Sequence, residues 1–151
     1  MIPVYYVSNK RPLSHNRSGE LDNYKRTHRE KFNRSYSCLY SALPTAENQL
    51  QTKIAYIYHR RVKDTIPDVD NMSKPIIDAF KRVIYLDDKQ VMRREAIEIE
   101  LSDYKCIRVD MTNMPLKIAS DLDEFIRKEE DHIVLLTVSN VVFSEIKIGD
   151  I

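Results

Sequence analysis

Apolar side chains recur along this chain in two rhythms, and each switch of rhythm marks a new element. Residues 2 to 7 are apolar and aromatic and predict a short strand, and Asn9 to Gly19 is a polar, basic loop. From Leu21 to Leu43 the positions Leu21, Tyr24, His28, Phe32, Tyr36, Leu39 and Leu43 fall three or four apart, the stripe of an amphipathic helix that Pro44 ends. Leu50 to Tyr58 sets Leu50, Ile54, Tyr56 and Tyr58 on one face of a strand. Met72, Ile76, Phe80 and Val83 restore the helical period. Because Pro75 is best tolerated in a first turn, that helix is expected to begin between Asp70 and Ser73. Ile97, Ile99 and Leu101, then Ile107, Val109 and Met111, alternate with charged residues across Ser102-Asp103 and predict a β-hairpin. Ser120-Asp121-Leu122-Asp123 resembles a capping box opening a helix whose Leu122, Phe125 and Ile126 face inward. His132 to Val138 and Val141 to Ile148 predict two last strands about Ser139-Asn140. The order β-α-β-α-β-β-α-β-β argues an α+β fold, a mixed sheet packed by two to three helices.

At 151 residues the chain is one domain by length and needs no covalent staple. Its two cysteines, Cys38 and Cys106, match neither a zinc spacing nor a redox pair, so they are expected to be buried or idle thiols of a reducing cytoplasm. The N-terminus lacks a basic start before a long apolar run, and the longest later run, Ile133 to Val138, is too short to span a bilayer; the expectation is a soluble, cytoplasmic protein with no membrane partner. Glycine occurs only at Gly19 and Gly149, which leaves no glycine-rich phosphate loop and points away from any nucleotide cofactor. The near-neutral net charge hides an asymmetry: up to Lys63, 12 lysines and arginines stand against 4 acids. Such a basic half suits a face that meets a polyanion, and equally an ordinary solvated helix surface.

The candidate chemistry lies in Pro67-Asp68-Val69-Asp70-Asn71-Met72-Ser73-Lys74 and in Tyr85-Leu86-Asp87-Asp88-Lys89-Gln90-Val91. If Asp68 to Asp70 is extended, the two acids project from one side, roughly 6 to 7 Å apart, and suit a hard cation such as Mg²⁺. Each cluster also has a plain structural explanation, as a helix cap or a polar turn. Repetition at both ends of one helix, with Lys74 between, is what caps leave unexplained; a strand running back along the helix could return the second pair beside the first. No EF-hand, His-Glu-x-x-His or nucleophile-elbow spacing is present, and His15, His28, His59 and His132 never fall at ligand spacing.

Asp68-Val69-Asp70-Asn71, Lys74, Asp78-Ala79-Phe80 and Leu86-Asp87-Asp88-Lys89-Gln90-Val91 together resemble the signature of the RusA family of Holliday junction resolvases, small endonucleases of bacteria, phages and prophages. The resemblance is strongest from about Arg60 to Ile99, with an echo in Ser14-His15-Asn16-Arg17. It implies a RusA-like core over residues 1–114, with 115–151 as a helix-and-strand extension of the same domain. It further implies metal-binding carboxylates at Asp68, Asp70 and Asp88, with Asp87 as neighbour, a catalytic Lys74, and Mg²⁺ as cofactor. The expected partner is a four-way DNA junction, bound by a symmetric homodimer that cuts two strands in recombination and repair. Lys10, Arg11, Arg17, Lys25, Arg29, Arg60, Arg61 and Lys63 are the candidate DNA contacts. The rivals are a non-catalytic junction-binding or partner-binding module and a metal-dependent nucleotide-sugar transferase, for which the chain is short.

Overall fold

A computed structural model describes residues 3–102 and 106–143. In chain order its elements are β1 (Val4–Ser8), α1 (Ser18–Ser35), β2 (Leu50–His59), α2 (Val69–Ala79), β3 (Val91–Leu101), α3 (Leu116–Arg127) and β4 (His132–Asn140), with single 3-10 turns at Ser37–Leu39 and Asp88–Gln90. The strands form one sheet in the order β1-β4-β2-β3. β2 and β3 run parallel, while β4 runs antiparallel to both β1 and β2, so the sheet is mixed and the fold is α+β.

Alternation along the strands decides which side chains face the helices. Tyr6, Leu136 and Ile54 share one row of one face, and Ser8, Val134, Tyr56 and Glu98 share the next. Tyr6 is fully buried and meets both helices of this face: its ring centroid lies 6.3 Å from Phe32 of α1 and 4.8 Å from Phe80 at the end of α2. α3 packs against β1 through buried Ile118 and Leu122, and the Tyr36 hydroxyl donates to Asp121 at 2.7 Å, tying the end of α1 to α3.

Several expectations are corrected. α1 ends at Ser35 rather than near Leu43, because the chain tightens into the 3-10 turn before Pro44. β3 is a single long strand beside β2, and residues 106–111 form no strand, so the expected hairpin is absent; Ile107, Val109 and Met111 pack on the core as irregular chain. α3 starts at Leu116 after Pro115, which leaves Ser120 inside the helix, and Ile126 is exposed instead of facing inward. Residues 141–143 are not a strand, and 144–148 lie outside the described residues. Cys38 and Cys106 are free but exposed. No helix among the described residues is long and apolar enough to cross a membrane.

Candidate nuclease site

α2 begins at Val69, earlier than expected, with Asp68 as its N-cap: Asp68 Oδ1 accepts from the Asn71 N–H at 2.9 Å and Oδ2 from the Asn71 side chain at 3.0 Å. Asp68 and Asp70 are therefore not an extended pair. They share the positive end of a helix, where the dipole favours carboxylates. Asp70 is exposed, and its carboxylate makes no hydrogen bond or ion pair among the described residues.

The early start places Pro75 in the second turn of α2, where it has no N–H to give the carbonyl of Asn71 four residues back. That carbonyl takes the His15 N–H instead, at 2.9 Å. The missing bond thus becomes the point where the basic loop between β1 and α1 docks on α2. Arg11 of the same loop pairs with Asp64 at 3.5 Å and donates to the Thr65 carbonyl at 3.2 Å, in the segment leading into Asp68.

Lys74 follows Asp70 by one helical turn, and its ammonium lies 3.6 Å from Asp78 Oδ2, which also holds Lys25 of α1 at 3.6 Å. Asp78 was not among the candidate site residues; its spacing of four from Lys74 was the signal available.

Asp87 and Asp88 lie elsewhere. α2 runs back from the end of β2 toward its beginning, and Asp88 precedes Val91, which pairs with Leu50 at the start of β2. Glu98, whose carboxyl is pushed up by burial and then by the charge of Asp68, marks the level of the α2 N-terminus on β3. Val91 to Glu98 spans about 23 Å of strand. One chain therefore does not bring Asp88 to Asp68 and Asp70. Lys81 is the local partner of the second pair, 3.1 Å from Asp87 and 3.5 Å from Asp88. The Lys89 N–H, with Asp88 and Lys81 behind it, pulls the Asp87 carboxyl down to about 2.

Among the described residues no three His, Cys, Asp or Glu side chains are gathered to hold a metal ion. The donor chemistry near α2 nonetheless suits a hard cation. Asp68 and Asp70 offer only oxygen, and Glu98, which feels the charge of Asp68, keeps a buried Oε1 with no hydrogen-bond partner, an acceptor that a cation would satisfy.

Of the candidate DNA contacts, Lys10, Arg29, Arg60 and Lys63 form no ion pair among the described residues. Arg17 pairs with Glu20 at 3.6 Å, and Arg61 is taken by Asp131 at 2.8 Å and by the Glu129 carbonyl. Loop docking gathers Lys10, Arg11 and Arg17 with the basic run after β2 at the end of the sheet that carries Asp68 and Asp70.

Residues 14–111 match the family model described as Endodeoxyribonuclease RusA, a stretch that spans Asp68, Asp70, Lys74, Asp78 and Asp88 and stops before α3 and β4. A search of curated proteins finds no match. With well over half of its length inside that model, the chain belongs to the RusA endodeoxyribonuclease family, hydrolases that act on DNA.

Proposed function

We propose that the protein is a Mg²⁺-dependent endonuclease that resolves four-way DNA junctions in recombination and repair, working as a homodimer that cuts two strands symmetrically. The observation that carries this reading is the docking of the basic loop on Asn71, which brings polyanion-binding charge to the helix end bearing Asp68 and Asp70. Asp68 and Asp70 would hold Mg²⁺, which would supply charge neutralisation at a nonbridging phosphate oxygen and a more acidic water for in-line attack. The chain's own residues do the rest. Lys10, Arg11, Arg17, Arg60 and Lys63 hold the phosphate backbone, and Lys74, aimed along α2 by Asp78, adds positive charge where the pentacovalent phosphate develops.

The distance of Asp88 from Asp68 within one chain gives the homodimer a chemical role. β3 is an edge strand, so pairing antiparallel with a second copy would invert its ends and bring the partner's Asp88 toward this chain's Asp68, Asp70 and Glu98. Each site would then be complete only in the dimer.

The test separates binding from cutting. In an Asp70→Asn protein, cleavage of a synthetic junction should fall at least a hundredfold while gel-shift affinity for that junction in EDTA stays within about threefold, because Asp70 serves the cation and not the fold. Cleavage at the wild-type rate by the folded variant would overturn the assignment. Loss of binding together with cleavage would favour the non-catalytic, junction-binding module.

A further inference from the structure

Two lysines meet one carboxylate where α1 packs on α2. Asp78 Oδ2 lies 3.6 Å from the ammonium of Lys74, one turn back on its own helix, and 3.6 Å from that of Lys25 on α1. Neither contact is a hydrogen bond at that distance, so one oxygen is shared between two cations and the group keeps a positive charge in excess. Neither lysine pairs with another acid among the described residues. The three side chains are not equally placed. Asp78 and Lys25 are 20% and 22% exposed, whereas Lys74 is 44% exposed.

These placements make one pair firm and the other loose. The pair of Lys25 with Asp78 bridges two helices in a partly buried setting, where salt and water screen it least. The pair of Lys74 with Asp78 lies within one helix on the more exposed side, in the order lysine before acid, the weaker of the two orders at a spacing of four. A polyanion arriving at α2 therefore competes for Lys74 before Lys25. Asp78 in turn needs a counter-ion. Its charge reaches inward to the buried Tyr85 phenol, which burial and then Asp78 push up, and the Tyr85 hydroxyl is given to the Ile77 carbonyl. Deserted by both lysines, Asp78 would be a partly desolvated acid facing a phosphate.

We propose that Lys25 and Asp78 are positioning residues for Lys74: Lys25 is the standing counter-ion of Asp78, and its presence lets Lys74 turn from that carboxylate to the scissile phosphate without leaving an unpaired acid beside DNA. The proposal rests on the reading of Lys74 as the lysine that meets the developing phosphate charge, and deepens it. In the free protein Asp78 has two cations. In the reacting complex Lys25 stays with Asp78 and Lys74 goes to the phosphate, so each anion keeps a cation within reach. Lys25 thereby leaves the candidate DNA contacts, because the charge it neutralises is a carboxylate of its own chain.

The test uses the full chain and a synthetic four-way junction, reading affinity in EDTA over a salt series and the single-turnover cleavage rate in Mg²⁺, with thermal unfolding to show that each variant is folded. Lys25→Gln should cut about tenfold more slowly, since Asp78 now holds Lys74 back. Its slope of log affinity against log salt should stay that of the wild type, because no phosphate contact is lost. The double variant Lys25→Gln with Asp78→Asn should cut several-fold faster than Lys25→Gln alone, a rescue that a merely structural ion pair does not give. A slope lessened by about one in Lys25→Gln would make that lysine a direct phosphate contact and overturn the proposal. A double variant as slow as the single would overturn it too. A wild-type protein that cuts no junction in any divalent metal would overturn the resolvase reading and this proposal with it, whereas a wild type that cuts beside either of those variant results loses only the positioning pair.

Discussion

Pro75 shows how one residue can shape a site it never enters. A proline in the second turn of α2 withholds an N–H from Asn71, and the helix accepts the loss because His15 replaces it, so a local defect becomes the attachment of the basic loop. The sequence made Pro75 visible but placed it in the first turn, since nothing local reveals that a residue sixty positions earlier supplies the missing donor. His28 is a second such case. Its place on the apolar stripe was legible, while its bond to Tyr6 belongs to the tertiary fold. Burial, with Lys31 and Lys10 nearby, pulls the His28 imidazole down to about 3 from an unfolded value near 6.5. The unfolded chain therefore takes up a proton that the folded one refuses as pH falls below about 6.5. Its contribution is fully present above that value and is lost toward pH 3. Between pH 7 and pH 5 this group alone should lower the unfolding free energy by about 2 kcal/mol. Urea titrations at the two pH values check it: His28→Gln should flatten the dependence, and an unchanged dependence would mean that His28 titrates normally.

Among the elements, α2 carries most of the proposed chemistry. Its apolar stripe was readable from the period of Met72, Ile76 and Phe80, all fully buried. Its start was misplaced by one residue because Asp68 serves at once as cap and candidate ligand, and the proline argument pulled the boundary the other way. The two roles of Asp68 can be separated. Asparagine still accepts the Asn71 N–H, so Asp68→Asn should hold stability within about 0.5 kcal/mol, whereas Asp68→Ala should cost about 1 kcal/mol. Both should lose cleavage, since neither offers a carboxylate. Denaturant unfolding together with junction cleavage reads both effects, and a fully active Asp68→Asn would leave Asp68 with capping alone. β3 was the element least legible. Alternation in Ile97 to Leu101 revealed a strand, but its partner, β2, lies some forty residues back, and period cannot choose between a local hairpin and a parallel crossover.

Over the whole molecule, the sheet order β1-β4-β2-β3 leaves β3 as an open edge. The α+β class and mixed sheet follow from patterning, and the family from the spacing of a few acids and amides. The separation of Asp88 from Asp68 depends on β3 lying parallel to β2, which no spacing encodes. The proposed site, divided between the ends of one helix, would be completed by two copies, and a two-fold dimer would then offer equivalent sites to two strands of a junction. The most direct measurement is incubation of the purified protein with a mobile four-way junction and with linear duplex of the same sequence, each in Mg²⁺ and in EDTA. Symmetric paired nicks on the junction alone, present with Mg²⁺ and absent with EDTA, are the predicted result. Tight junction binding with no cleavage in any divalent metal would contradict it.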